Sequence, residues 1–242
     1  MSNKWFAFKQ FTIRQEHSAM KVTTDGVIFG AWIKPPLQGN ILDIGSGTGL
    51  LALMMAQKTG AEIVALEPDT GSFKELKDNI AASPWPDRIV ACNETLAQFC
   101  KNESVSGSFN LIISNPPYFE NARLPMNETS SAARHTVALS HEDLLDCTGK
   151  LLSPGGKLSV ILPVESGEKF IYRALWQQLY CNEMMDVYPS DVKPANRCLM
   201  IFEREKKGLR KKKLFVRKGI AYSSEYIALT KDYYLSVGNP TA

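Results

Sequence analysis

Long hydrophobic runs are missing from this 242-residue chain. None approaches the roughly 20 consecutive apolar residues that a spanning helix needs, and the polar, aromatic start has no signal-like segment, so a cytoplasmic, membrane-free protein is expected. Cysteine is sparse and unpatterned: Cys92, Cys100, Cys147, Cys181 and Cys198 are odd in number and form no Cys-x-x-Cys pair. Neither a disulfide framework nor a zinc site is implied, and no metal is expected. Charge of one sign is not in large excess either, with a net charge of +3. No long linker, internal repeat or low-complexity tract divides the chain, which is read as one domain over residues 1–242, acting as a monomer. A chain of this length buries roughly 70 to 75% of its unfolded surface in one core. Strands alternating with helical stretches then point to an α/β fold around one open sheet.

The most informative residues are Asn115-Pro116-Pro117-Tyr118, at the end of the apolar run Phe109 to Ser114. Each proline fixes its own φ and biases the residue before it toward extended geometry, so the turn has few alternative shapes. The Asn115 amide and the Pro116 carbonyl converge as two acceptors, and Tyr118 supplies an aromatic face. That set suits a planar nitrogen nucleophile, its amine held by both acceptors and its ring stacked on the tyrosine.

A second half-site lies upstream. The strand Ile41 to Ile44 runs into Gly45-Ser46-Gly47-Thr48-Gly49, and a helix begins near Leu50. Alternate glycines let backbone approach a ligand where a Cβ would clash. The Gly-x-Gly-x-Gly spacing differs from the dinucleotide fingerprint Gly-x-Gly-x-x-Gly. Asp43, two residues before the first glycine, would repel a pyrophosphate and attract an ammonium, so an adenosine bearing an amino acid is favoured. Glu67 closes the next strand, where ribose hydroxyls would be met. Arg88 to Asn93 reads as the third strand, leaving Asn93 or Glu94 near the adenine edge.

Together these residues resemble the class I S-adenosylmethionine-dependent methyltransferases, in the amino-methylating branch with an Asn/Asp-Pro-Pro-Tyr signature. Met20 to Trp32 is similar to the segment preceding the glycine turn in bacterial enzymes that methylate the adenine beside the anticodon of a valine tRNA. The resemblance implies a Rossmann-like, mostly parallel seven-stranded sheet, with an antiparallel strand near the C-terminus and helices on both faces. It implies S-adenosylmethionine as cofactor and a tRNA as partner. It assigns Asp43 and Gly45 to the methionine end, Glu67 to the ribose, Asn93 or Glu94 to the adenine, and Asn115 through Tyr118 to the target base, with Gly47, Gly49 and Asn115 also binding the cofactor. It also places Lys21 and Asp25 over the cofactor, within an amino-terminal segment, residues 1–38, that covers a core of residues 39–242. No general base is needed, because the amine becomes acidic only after methylation.

Residues 119–136 suit a surface loop and hold Arg134-His135, a pair the resemblance connects with substrate contact. A helix is expected over His141 to Leu152, then a Ser153 to Gly156 turn, a strand over Lys157 to Leu162, a helix around Gly167 to Leu179, and strands near Cys198 to Glu203 and Lys212 to Arg217. Lys206, Lys207, Arg210, Lys211, Lys212 and Lys213 crowd the connection between these last two. They read either as a solvated hairpin or as phosphate-binding residues for RNA. Lys4 to Arg14 alternates basic and aromatic residues, which suits RNA stacking or a core-packed edge strand. Three other activities fit the same turn. Release-factor glutamine methylation does, although those enzymes carry a helical domain before the glycine turn and only about forty residues precede it here. Methylation of ribosomal-RNA guanine or DNA adenine is the second, and an RNA-binding module without turnover the third.

Overall fold

The computed structural model describes residues 3–18, 20–116 and 139–236. The expectations at Pro117, Tyr118, Arg134 and His135 lie outside these residues.

The chain opens with an antiparallel ribbon of β1 (Trp5–Ala7) and β2 (Thr12–Arg14), followed by α1 (Thr24–Trp32). Two β-α-β units come next: β3 (Asn40–Ile44), α2 (Leu50–Lys58), β4 (Glu62–Leu66), α3 (Thr70–Ala81) and β5 (Ile89–Cys92). After them come α4 (Leu96–Phe99), β6 (Phe109–Ser114), α5 (His141–Leu151), β7 (Leu152–Pro163), α6 (Val164–Trp176), β8 (Tyr180–Tyr188) and β9 (Arg197–Glu203). Last are β10 (Arg210–Phe215), the short ribbon of β11 (Arg217–Lys218) and β12 (Ala221–Tyr222), and α7 (Ser224–Thr230). Five of the seven α-helix starts among the described residues carry oxygen caps: Thr23, Asp69, Thr95, Ser140 and Ser223 each accept a first-turn N–H.

Among the described residues the central sheet has eight strands in the order β10-β8-β9-β7-β6-β3-β4-β5. β9 runs antiparallel to both β7 and β8, and the other pairings are parallel. The seven-stranded arrangement expected is therefore present, and β10 is added outside it. Alternation along the strands builds two cores. Ile41, Leu111, Ile113 and Ile161 pack on the face carrying α1, α2, α3 and α7. Leu42, Ile112, Leu158 and Val160 pack on the face carrying α4, α5 and α6.

Three tail expectations need correction. β8 went unread because Tyr180-Cys-Asn-Glu-Met-Met-Asp-Val-Tyr places polar Asn182 and Asp186 inside the core, where Asn182 donates to Glu203 at 2.7 Å. The Ser153 to Gly156 turn is a bulge within β7, which skips register between its pairings Phe109↔Leu152 and Leu111↔Lys157. The lysine-rich strand does not form a hairpin with β9. β8 lies between them, and β10 runs parallel to β8.

Candidate active site

Every parallel strand of the first half ends at one edge of the sheet, and a cavity of about 650 Å³ opens there. Its floor is the glycine turn. Gly45 and Ser46 both donate their N–H to Leu66 O, at 3.0 and 2.9 Å, which ties the turn to the end of β4. A Cβ on Gly47 would meet nothing within 4 Å, so the space beside the turn is open to a ligand, while its φ of +55° suits glycine. Gly49 plays a different part. With φ at +88° it heads α2, and a Cβ there would sit 2.7 Å from Leu76 Cδ1. It packs the helix against α3 and is not part of the cavity lining.

Glu67 is buried at the cavity wall. Its Oε2 accepts Gly47 N at 2.7 Å and its Oε1 accepts Asp69 N at 2.9 Å, so one carboxylate sets the turn and the start of α3 together. Burial raises its pKa, opposed by those two N–H bonds. Each oxygen retains a further acceptor position for ligand hydroxyls.

Asp43 lies beneath the turn and not on the lining. It has no exposed surface, and Oδ2 accepts Ala52 N at 3.1 Å in the first turn of α2. Because the N-cap Gly49 has no side chain to offer, Asp43 is the acceptor that helix start would otherwise lack. Its Oδ1 is buried without a hydrogen bond. Burial pushes the carboxyl up to about 7, with Ser46 and the Ala52 amide opposing the shift and nearby Glu67 adding to it.

The opposite wall is the amino-terminal segment. Ser18, Met20, Lys21, Val22 and Thr23 line the cavity. Lys21 Nζ turns back to Gln15 O and to Glu16 O, the latter at 3.2 Å. Asp25 does not line the cavity; its Oδ2 accepts Arg197 Nε at 2.8 Å, joining α1 to the start of β9. On the adenine side Glu94 lines the cavity, whereas Asn93 uses its amide to bind Glu67 O at 2.8 Å and Pro68 O at 3.2 Å. Thr95, Leu96 and Ala97 complete that wall and were not singled out from sequence, although Thr95-x-x-Gln98 forms a capping box that marks the helix start.

Asn115 and Pro116 meet the same cavity at its mouth. β6 delivers them there, and Ser114 Oγ donates to Ile44 O at 3.0 Å, holding the ends of β6 and β3 together. The Asn-Pro turn and the glycine turn thus face one volume, as their separate readings require.

Residues 18–181 match the model of the methyltransferase small domain family. The tRNA1(Val) (adenine(37)-N6)-methyltransferase of Trichodesmium erythraeum is 42% identical over 97% of this chain and 99% of its own length. The chain belongs to this methyltransferase family. The enzyme of the same name from Pectobacterium carotovorum is also 42% identical, over 95% of this chain and 93% of its own. Among solved structures, a predicted O-methyltransferase from Agrobacterium tumefaciens superposes with a TM-score of 0.68 at 18% identity, covering 89% of this chain and all of that one. Geranyl diphosphate C-methyltransferase from Streptomyces coelicolor gives 0.53 at 10% identity over 75% and 78% of the two chains. Both show the class I fold. The family cofactor is S-adenosylmethionine, and the site fits it: open space over Gly45 and Gly47, a buried acid at the end of β4, and a predominantly apolar wall.

Proposed function

We propose that this methyltransferase methylates the exocyclic N6 amine of an adenine in tRNA, the adenine beside the anticodon of a valine tRNA, as a cytoplasmic monomer. The observation that carries this reading is the meeting of Asn115 and Pro116 with the glycine turn and Glu67 around one cavity. Glu67 and the backbone from Gly45 to Gly47 would hold the ribose and methionine parts of S-adenosylmethionine, and Glu94 the adenine side. When bound, that cofactor supplies an electrophilic methyl on a sulfonium.

The chain's own contribution is alignment. The Asn115 amide oxygen and the Pro116 carbonyl accept the two N–H bonds of the substrate amine, which turns its lone pair toward the cavity. Extracting the base from its stack costs a few kcal/mol, and stacking on Tyr118 returns about 1 to 3 kcal/mol. With the cofactor bound, the nitrogen would take the methyl as the methyl–sulfur bond breaks, leaving S-adenosylhomocysteine, and its proton would pass to water. Neither a general base nor a metal is required for that balance.

Nucleoside mass spectrometry tests the reading: unmodified tRNA incubated with the protein and S-adenosylmethionine should gain N6-methyladenosine in a single anticodon-loop fragment. Asn115→Ala should remove at least 100-fold of the rate, on the scale of lost alignment, while S-adenosylhomocysteine affinity stays within a few fold. Methylation of release-factor glutamine in place of tRNA would overturn the proposal.

A further inference from the structure

Beyond β10 the chain builds a small, fixed platform that the cavity does not use. In the β11–β12 ribbon Arg217 pairs with Tyr222, and the guanidinium carbon lies 4.3 Å from the Tyr222 ring centroid. Arg217 Nη1 donates to Ile220 O at 2.7 Å, and Tyr222 also stacks on Tyr226 with centroids 5.0 Å apart at 25°. The guanidinium plane is therefore fixed by a ring beneath it and a carbonyl along one edge. Arg217 itself stays exposed.

Neighbouring charges are already matched. Lys218 Nζ pairs with Glu225 at 2.9 Å, and the Asp191 carboxylate accepts Gly219 N at 3.3 Å. The same ribbon and the loop bonded to it expose two branched apolar side chains, Ile220 at 94% and Val192 at 87%. Val192 belongs to the β8–β9 loop, which is bonded to the ribbon through Asp191 N and Arg217 O at 3.2 Å. A preoriented planar cation on a ribbon with exposed apolar contacts matches unstacked bases, which stack on arginine planes and offer acceptor edges.

Position decides which ligand this is. The ribbon emerges from the carboxyl end of β10, where Phe215 pairs with Tyr188, and Val187 pairs with Arg197. Arg197 holds Asp25 of α1, immediately behind the cavity wall. The ribbon therefore stands along the same sheet edge as the cavity, four strand spacings, about 19 Å, from the end of β6 that carries Asn115. At roughly 3.4 Å per stacked nucleotide, that is about five or six nucleotides of RNA.

We propose that the β11–β12 ribbon is a contact surface for the RNA strand carrying the reacting adenine, with Arg217 stacking on a nearby nucleotide. The proposal rests on the tRNA adenine reading. It is separate from Lys211, Lys212 and Lys213, which lie further down β10.

The test measures fluorescence-anisotropy binding of unmodified tRNA by the full chain, with S-adenosylhomocysteine calorimetry on the same preparations. Arg217→Ala and Ile220→Glu should each weaken tRNA binding about tenfold, in the range of one lost stacking contact, with S-adenosylhomocysteine affinity within twofold of wild type. Arg217→Lys keeps the charge and loses the plane, so it should recover less than half of that loss on a logarithmic scale. If Arg217→Ala fails to fold, Ile220→Glu decides, since its side chain packs on almost nothing. Both variants binding tRNA within twofold of wild type would overturn the ribbon proposal. Wild-type methylation of tRNA in that case would leave the adenine reading standing. Conversely, weakened binding by a protein that forms no N6-methyladenosine would keep the RNA contact and reject the reaction.

Discussion

Asp43 and Glu67 are both acids at strand ends beside the glycine turn, yet they sit in different electrostatic situations. Glu67 has both oxygens bonded to N–H groups and faces the cavity. Asp43 has one bonded oxygen, one orphan, and no solvent. Glu67→Ala therefore frees the Gly47 amide of the turn and the Asp69 amide at the start of α3 and removes a ligand acceptor, and calorimetry should find S-adenosylmethionine and S-adenosylhomocysteine weakened alike by about 10- to 100-fold, the value of one or two charge-assisted bonds. For Asp43 the consequence is pH dependence. Its carboxyl titrates near 7 when folded and at 3.8 as the reference value. Between those values the native state keeps a proton that the unfolded chain has lost, so ligand-free stability falls as pH rises and levels off above 7. Asp43→Asn retains an acceptor for Ala52 N without the charge. Urea unfolding at pH 5 and pH 8 should show the wild type losing about 3 kcal/mol relative to the variant over that interval, at about 1.4 kcal/mol per unit across two units. Parallel pH profiles for the two proteins would show that Asp43 is not the buried acid described here.

At the scale of elements, the sequence was most legible where one local rule acted alone. The strands at Ile41, Glu62, Ile89 and Phe109 and the helix at Leu50 were readable because apolar runs end in glycine, proline or acids at the C-terminal edge. The Asp43 charge alone reads as facing the ligand's ammonium, whereas period-two alternation, unused in that reading, puts it with Ile41 on the α2 face. β8 and the partner of β10 were obscured by tertiary rules. The polar residues of β8 are satisfied only by partners far along the chain, and the strand near Lys212 to Arg217 was readable without the neighbouring strand that accepts its charge. That neighbour is specific. Lys211 Nζ lies 2.9 Å from Asp186, which is nearly buried, and Lys213 sits over the Tyr188 ring at 5.8 Å. Lys212, one residue away, projects to the other face, so the three lysines do not share one phosphate-binding surface. Lys211→Met strands the Asp186 charge. Because the lysine is half exposed, the loss should be about 1 to 2 kcal/mol in urea unfolding, below the cost of breaking a fully buried pair. Lys212→Ala should change stability by less than about 0.5 kcal/mol. Equal, negligible effects would return Lys211 to the solvated, RNA-accessible set.

Across the whole molecule, the amino-terminal wall of the cavity is held by residues that never touch the ligand space. Asn79 of α3 accepts Arg14 N at 2.8 Å and donates to both Arg14 O and Thr48 O at 2.9 Å, binding β2 to the glycine turn. Glu75, one turn earlier on the same helix, accepts His17 N at 2.7 Å and Ser18 N at 2.9 Å. Ser18 is the first residue of the wall, and Gln15 Oε1 fixes its far side by accepting Val22 N at 2.7 Å. The ribbon before it is anchored at the other end of the chain, where Lys9 N donates to Tyr233 O at 2.8 Å and Phe8 packs near Tyr234. Within Lys4 to Arg14, Phe8, Phe11 and Ile13 are core residues whose aromatic and apolar character serves packing, while Trp5 stays 54% exposed. Remote coupling follows. Glu75→Ala leaves two N–H groups at a buried position without their acceptor, costing about 2 to 4 kcal/mol, and lets the wall move away from the turn. S-adenosylhomocysteine affinity should fall about tenfold although Glu75 contributes no atom to the cavity, because the ligand must then re-order residues 18–23 on binding. Glu75→Gln keeps one acceptor and should fall between the two. Calorimetry paired with urea unfolding separates the outcomes: a variant that loses stability yet binds at wild-type affinity would show the wall to be held by Asn79 and Gln15 without help from Glu75.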